Sequence, residues 1–217
     1  MQFFSVEPSS LRKTVIAAAA GAGLMLAASS SFAVIVSSGP VNLSIPLTTN
    51  GLYVNVITGA TNLPGSTAGS TVPGWDINPW SATGLAFFSA GNPAGGGYVL
   101  SGTSTVGNLA MGTLISGTST FGSGVAANTA QFNLNSSNNI FGFRFFNEAG
   151  GTVHYGWARF ALGASITDPS RSVVAYAYES TPGLGIQAGV VPEPGTYALM
   201  GLGIAGVLLA ARRRRQS

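Results

Sequence analysis

Residues 139–162 read NIFGFRFFNEAGGTVHYGWARFAL, and the spacing of their aromatic side chains decides the fold. Phe141, Phe143 and Phe145 recur every second residue, the period of a strand, so all three fall on one face. Glu148-Ala149-Gly150-Gly151 is a turn former, and Val153, Tyr155 and Trp157 alternate on the far side of it. The stretch is therefore an antiparallel hairpin, and its two aromatic faces are expected to meet across it.

Further strands follow on both sides. Ser172–Glu179 (SVVAYAYE) ends at Thr181-Pro182-Gly183, and Leu184–Gly189 is short enough to pair once more. Upstream, Gly84–Ala90 and Gly97–Leu100 are strand candidates, Thr61–Gly74 is a loop, and Asn50-Gly51 between alternating runs predicts a hairpin over 42–57. Two similar passages, Leu100–Gly107 and Ile115–Gly122, are two strand-turn units; a solenoid needs more copies. Apolar clusters separated by turn formers at this spacing predict an all-β body of short antiparallel strands over 34–189, a β-sandwich with aromatic inner faces and polar outer ones.

The 217 residues include no cysteine, so disulfides and thiol chemistry are excluded, and the body must fold on its core alone. Six of the nine basic residues lie near the termini, at Arg12, Lys13 and Arg212, Arg213, Arg214 and Arg215. The body holds three arginines against four carboxylates and no lysine, which leaves no footprint for nucleic acid.

Residues 1–33 read as a secretory signal peptide: Arg12 and Lys13 precede an apolar core over Val15–Ala28, and Ser31 and Ala33 are the small residues signal peptidase requires. Export through the secretion machinery follows. At the other end, Tyr197–Ala211 is apolar; as a helix it reaches ~22 Å against a ~30 Å hydrocarbon core, a marginal transmembrane helix. The arginines behind it would stay cytoplasmic and leave the body outside, in agreement with the signal peptide. Before it, Pro192 and Pro194 deny the backbone helical hydrogen bonds and hold Glu193 in an extended strand, the form a protease reads.

Val191-Pro192-Glu193-Pro194, an apolar span and Arg212–Arg215, in that order at the carboxyl end, resemble the PEP-CTERM sorting signal of Gram-negative bacteria over 190–217. The resemblance implies recognition and cleavage at Pro-Glu-Pro by exosortase, a membrane cysteine protease, with the membrane a transient partner if the tail is cut and a persistent one if it is not. Gly-Phe-Arg-Phe, His-Tyr-Gly-Trp-Ala-Arg-Phe and Ala-Tyr-Glu-Ser-Thr-Pro-Gly also look like the β-domain that often precedes such tails, which implies a lectin-like or jelly-roll sandwich. Delivery to the cell surface or to an exopolysaccharide matrix, with a structural or adhesive role in biofilm, is the corresponding expectation.

Candidate chemistry is sparse. His154 is the lone histidine and is expected to be packed or hydrogen-bonded. No zinc site is available; Asp76 and Asn78 offer two oxygens to calcium, and Asp76 equally suits a turn. A glycosidase would need two of Glu148, Asp168 and Glu179 at a set separation, yet each has a structural role available. Hence no enzyme, cofactor or metal is expected. Trp75 and Trp80 flank a short loop and are the candidate contacts for polysaccharide, with capping of the core as their other role. Asn42 and Asn135 open glycosylation sequons.

Overall fold

The hairpin forms where the alternation requires it. The computed structural model describes residues 34–90, 95–191, 201–204, 207 and 212. In chain order, the strands among them are β1 (Ile35–Ser37), β2 (Leu43–Ser44), β3 (Asn78–Trp80), β4 (Ala86–Phe88), β5 (Gly97–Ser101), β6 (Thr105–Val106), β7 (Leu114–Ile115), β8 (Phe121–Gly122), β9 (Val125–Ala127), β10 (Ser136–Asn147), β11 (Thr152–Leu162), β12 (Ser172–Glu179) and β13 (Ile186–Gln187). Strands β4, β5, β12 and β13 fall within the segments expected to be extended.

Eleven strands form one sheet in the order β1-β12-β11-β10-β5-β6-β9-β4-β3, with β2 beside β12 and β8 beside β5; β13 and β7 form a second, two-stranded sheet. The pairings are antiparallel except that of β6 with β9. The sheet curls over its own core, because Phe87 on β4 lies 4.9 Å, centroid to centroid, from Phe141 on β10 and 6.4 Å from Phe160 on β11. The all-β, mainly antiparallel architecture is thus present, but its hydrogen bonds describe one large curled sheet rather than two independent ones.

Register corrects the expectation that the aromatic faces of the hairpin meet. Asn147 pairs with Thr152 around the turn, so Phe145 opposes His154, Phe143 opposes Gly156 and Phe141 opposes Ala158. Directly opposed residues share a face. The phenylalanines therefore point inward, whereas Tyr155 and Trp157 share the outer face with Arg144 and Gly142. Gly156 makes the inward packing possible: a β-carbon there would sit 2.4 Å from Cζ of Phe143.

A second correction follows. The outer face at the centre of the sheet is not polar; Ile140, Trp157 and Ala177 pack there with Ile115 and Ile186 from the small sheet. The inner core gathers Phe87, Tyr98, Phe132, Phe141 and Phe160, whose rings meet mostly in tilted or edge-on geometry, the arrangement that ring quadrupoles favour. The central strands are buried on both faces, which explains their run of buried positions in place of strict alternation.

The hairpin predicted over 42–57 does not form. Leu43 and Ser44 pair with β12, and Val54 makes only single bridges to Thr61 and Ile77. Gly51 does turn, at φ +63°, but pressed against β3, where a β-carbon would meet Trp80 Cβ at 2.4 Å. Of the two repeated passages, the first is a hairpin of β5 and β6, whereas in the second β7 pairs with β13 and β8 with β5.

Gly201–Ile204, Val207 and Arg212 are helical, and Leu202, Ile204 and Val207 are exposed. No helix among the described residues is long and apolar enough to cross a membrane. Most of the expected 197–211 span, and the whole signal peptide with Ser31 and Ala33, lie outside the described residues.

Candidate functional site

Trp75-Asp76-Ile77-Asn78-Pro79-Trp80 buries two polar side chains, Asp76 and Asn78, because the neighbouring segment 50–57 lacks a regular strand partner and its backbone must be satisfied otherwise. The Asp76 carboxylate accepts the Val56 N–H at 2.7 Å. The Asn78 amide donates to the carbonyls of Asn50 and Leu52 at 2.8 and 3.1 Å. Beneath them the buried Tyr98 hydroxyl accepts the Asn78 N–H at 2.7 Å and donates to the Phe88 carbonyl at 2.8 Å.

Asp76 is 4 % exposed. Burial pushes its pKa up to about 7, against the Val56 N–H, which favours the charged form, while the charge of Glu148 adds to the rise. Glu148 sits at the β10–β11 turn and brings its carboxylate beside Gly74, where a β-carbon would meet Oε2 at 3.2 Å. Sequence reasoning missed this juxtaposition, since nothing local links the two residues. The cleft between them, lined by Trp75, Asp76, Phe145 and Glu148 among others, holds about 10 Å³. That is room for about one water and no sugar ring.

The two candidate tryptophans have different surroundings. Trp75, half-buried, meets Tyr53 edge-on at 4.7 Å and stacks on Phe88 at 5.8 Å, and Phe88 is 42 % exposed. This is an aromatic patch with one open side. Trp80 ends β3, within a strand rather than a loop; it is half-buried, and its indole N–H is buried without an acceptor among the described residues.

The remaining candidates hold the fold together. Glu179, buried, accepts the N–H groups of Val34 and Thr181 through Oε1. Asp168 accepts from Ala164 and Ser170 in a loop, and these bonds hold its pKa below the usual carboxylate range. His154 Nδ1 donates to the Glu179 carbonyl at 2.9 Å, because that oxygen can only accept, and Nε2 bonds Thr152 Oγ1 at 2.9 Å. Its ring stacks on Phe145. Among the described residues no three His, Cys, Asp or Glu side chains come together as a metal site.

Arg171 is the structural residue that sequence reasoning overlooked. It is fully buried and donates to the carbonyls of Ile45, Pro46, Ser81, Gly84 and Ile166, gathering three loops around one guanidinium. Burial lowers its pKa to about 10. A buried cation saturated by carbonyl dipoles is a staple rather than a ligand site.

Of the sorting residues, Val191 is described and exposed, and Arg212 is helical and exposed; Pro192, Glu193, Pro194 and Arg213–Arg215 lie outside the described residues. The carboxyl end is a protein-sorting signal. Residues 190–215 match the family model of the PEP-CTERM protein-sorting motif, and the chain carries that motif. The match supports an exported protein directed to exosortase, with sorting at a membrane. No curated protein and no solved structure matches the chain.

Proposed function

We propose that this protein is a non-enzymatic component of the Gram-negative cell surface or extracellular polysaccharide matrix, with a structural or adhesive role in biofilm. Signal peptidase cuts after Ser31-Phe32-Ala33. The span 197–211 then holds the intermediate in the inner membrane with Arg212–Arg215 inside, and exosortase cuts at Val191-Pro192-Glu193-Pro194. The observation that carries this reading is the sorting motif at 190–215. The exposure of Leu202, Ile204 and Val207 adds support, as side chains for lipid to cover.

The body, 34–189, is a curled variant of a lectin-like or jelly-roll sandwich. Its buried acids and histidine are engaged with backbone, and the cleft beside Asp76 and Glu148 is too small for a substrate, so the domain acts by surface and stability. A test is to follow the full chain and a chain lacking 190–217 through fractions of the native host. The full chain is expected at the cell surface or in the matrix and the truncated chain free in the exported soluble fraction; identical distributions contradict the reading.

A second reading is favoured by the open side of the Trp75, Tyr53 and Phe88 patch: a carbohydrate-binding module that stacks sugar rings on Trp75, with Trp80 supporting from β3. Trp75→Ala should then abolish retention on neutral polysaccharide without changing the melting temperature by more than a few degrees. Retention equal to that of the parent removes it.

A further inference from the structure

On the outer face of the sheet, away from the Asp76 cleft, lies an open groove of about 460 Å³, within the size range of small-molecule sites. Ser37, Ser137, Trp157, Arg159, Ala175 and Val191 are among its lining residues. Its shape follows from register: Trp157 opposes Ala177 and Arg159 opposes Ala175 across β11 and β12, and Ser37 of β1 opposes Ala177. Small side chains on β12 and β1 leave a floor beside two large ones on β11.

Two polar groups here lack protein partners. Arg159 is half-buried with its guanidinium carbon 5.8 Å from the centroid of the Trp157 ring, and no carboxylate or carbonyl among the described residues pairs with it. Of the other body arginines, Arg171 is saturated by carbonyls, whereas Arg144 lies 4.6 Å over Phe121 and outside this groove. Independently, the indole N–H of Trp157 is buried without an acceptor among the described residues. A buried donor left unpaired costs about 1–3 kcal/mol in a typical protein, and a charge-assisted, bidentate bond to a carboxylate is what a guanidinium makes best. A ligand suited to both groups brings one carboxylate and several oxygen acceptors on a ring with an apolar face, and Ser37 and Ser137 suit its hydroxyls.

We propose that this groove binds a carboxylate-bearing sugar residue of an acidic polysaccharide. Arg159 turns from the Trp157 ring to the carboxylate, and the space it leaves admits a sugar oxygen toward the buried indole N–H. The proposal concerns a face and a ligand different from those of the Trp75 patch, and does not depend on how the chain is sorted.

The test is calorimetric titration of the purified full chain in detergent micelles with trigalacturonate, and with maltotriose as the neutral probe. Trigalacturonate should bind and maltotriose should not. Arg159→Gln should weaken binding by about tenfold or more, Arg159→Lys by less, Trp157→Phe by a few fold, and Trp75→Ala not at all, with melting temperatures showing that each variant folds. Absence of binding by the parent, equal affinity for maltotriose, or undiminished binding by Arg159→Gln overturns the proposal. So does preferential binding of a Val-Val-Pro-Glu-Pro-Gly peptide, which would make the groove a peptide site. Sorting failure in the host would leave these titrations unchanged, and a negative titration would leave sorting unchanged, so the two readings fail separately.

Discussion

The inner and outer faces of β10–β12 are built from the same two strand periods but from different chemistry. Inside, Phe141, Phe143 and Phe160 pack ring against ring, and the polar groups beside them, the Tyr98 hydroxyl and the His154 ring, are hydrogen-bonded within the protein. Outside, Trp157 and Tyr155 share their face with Arg159 and Arg144, and unpaired N–H groups remain on Trp157 and Arg144. The contrast teaches that the inner face holds the fold together, whereas the outer face retains polar capacity that the fold does not use.

Substitutions can break or sharpen that contrast. The largest effect is expected at Phe141→Ala, which removes a fully buried ring touching Phe87, Tyr98 and Phe160 and should cost about 3–5 kcal/mol in denaturant unfolding. A cost near 1 kcal/mol would show that the inner face is not the principal core. Arg171→Met comes next: it strips five carbonyls of their donor, and a loss of about 3 kcal/mol or more is expected because several buried acceptors are left unpaired together.

Asp76 gives a pH signature. Its folded pKa lies at about 7, above the ordinary carboxylate value of 3.8, so the folded state binds the extra proton. Its contribution is complete below about pH 4 and is lost as pH rises toward 7 and beyond, an effect on the order of a few kcal/mol. Unfolding followed from pH 4.5 to pH 8 should show stability falling with pH in the parent, and a flatter profile in Asp76→Asn, whose amide oxygen can still accept the Val56 N–H. Equal slopes would mean that Asp76 ionises freely in the fold. The smallest effect is expected at Trp157→Phe, where the loss of part of a buried ring is offset in part by removal of an unpaired donor; its stability should change by about 1–2 kcal/mol. A loss as large as that of Phe141→Ala would erase the distinction between the faces.

Much of this was legible in the sequence and some was not, for physical reasons. Alternation placed β10, β11 and β12 and the Glu148–Gly151 turn, since a strand's period is local. It did not reveal which faces coincide across the hairpin, because that depends on register at the turn: one residue more or less would have set Trp157 opposite a phenylalanine. Asn50-Gly51 announced a turn correctly, yet its flanks found partners elsewhere, Leu43 on β12 and Val54 at Ile77. Tertiary pairing overrode the local signal. The approach of Glu148 to Gly74 and the clustering of five carbonyls around Arg171 are long-range consequences of the curled sheet, and no short pattern encodes them. The Pro-Glu-Pro, apolar and arginine order was legible because a sorting signal must be read as a linear peptide.

The central claim, that the carboxyl end is a label rather than part of the working protein, is tested most directly by the intact mass of the protein recovered from its own host, for the natural chain and for Glu193→Ala. The natural chain should end between Val191 and Gly195, and the variant should keep its tail through Arg212–Arg215 and stay with the membrane. A natural chain that retains those arginines would contradict it.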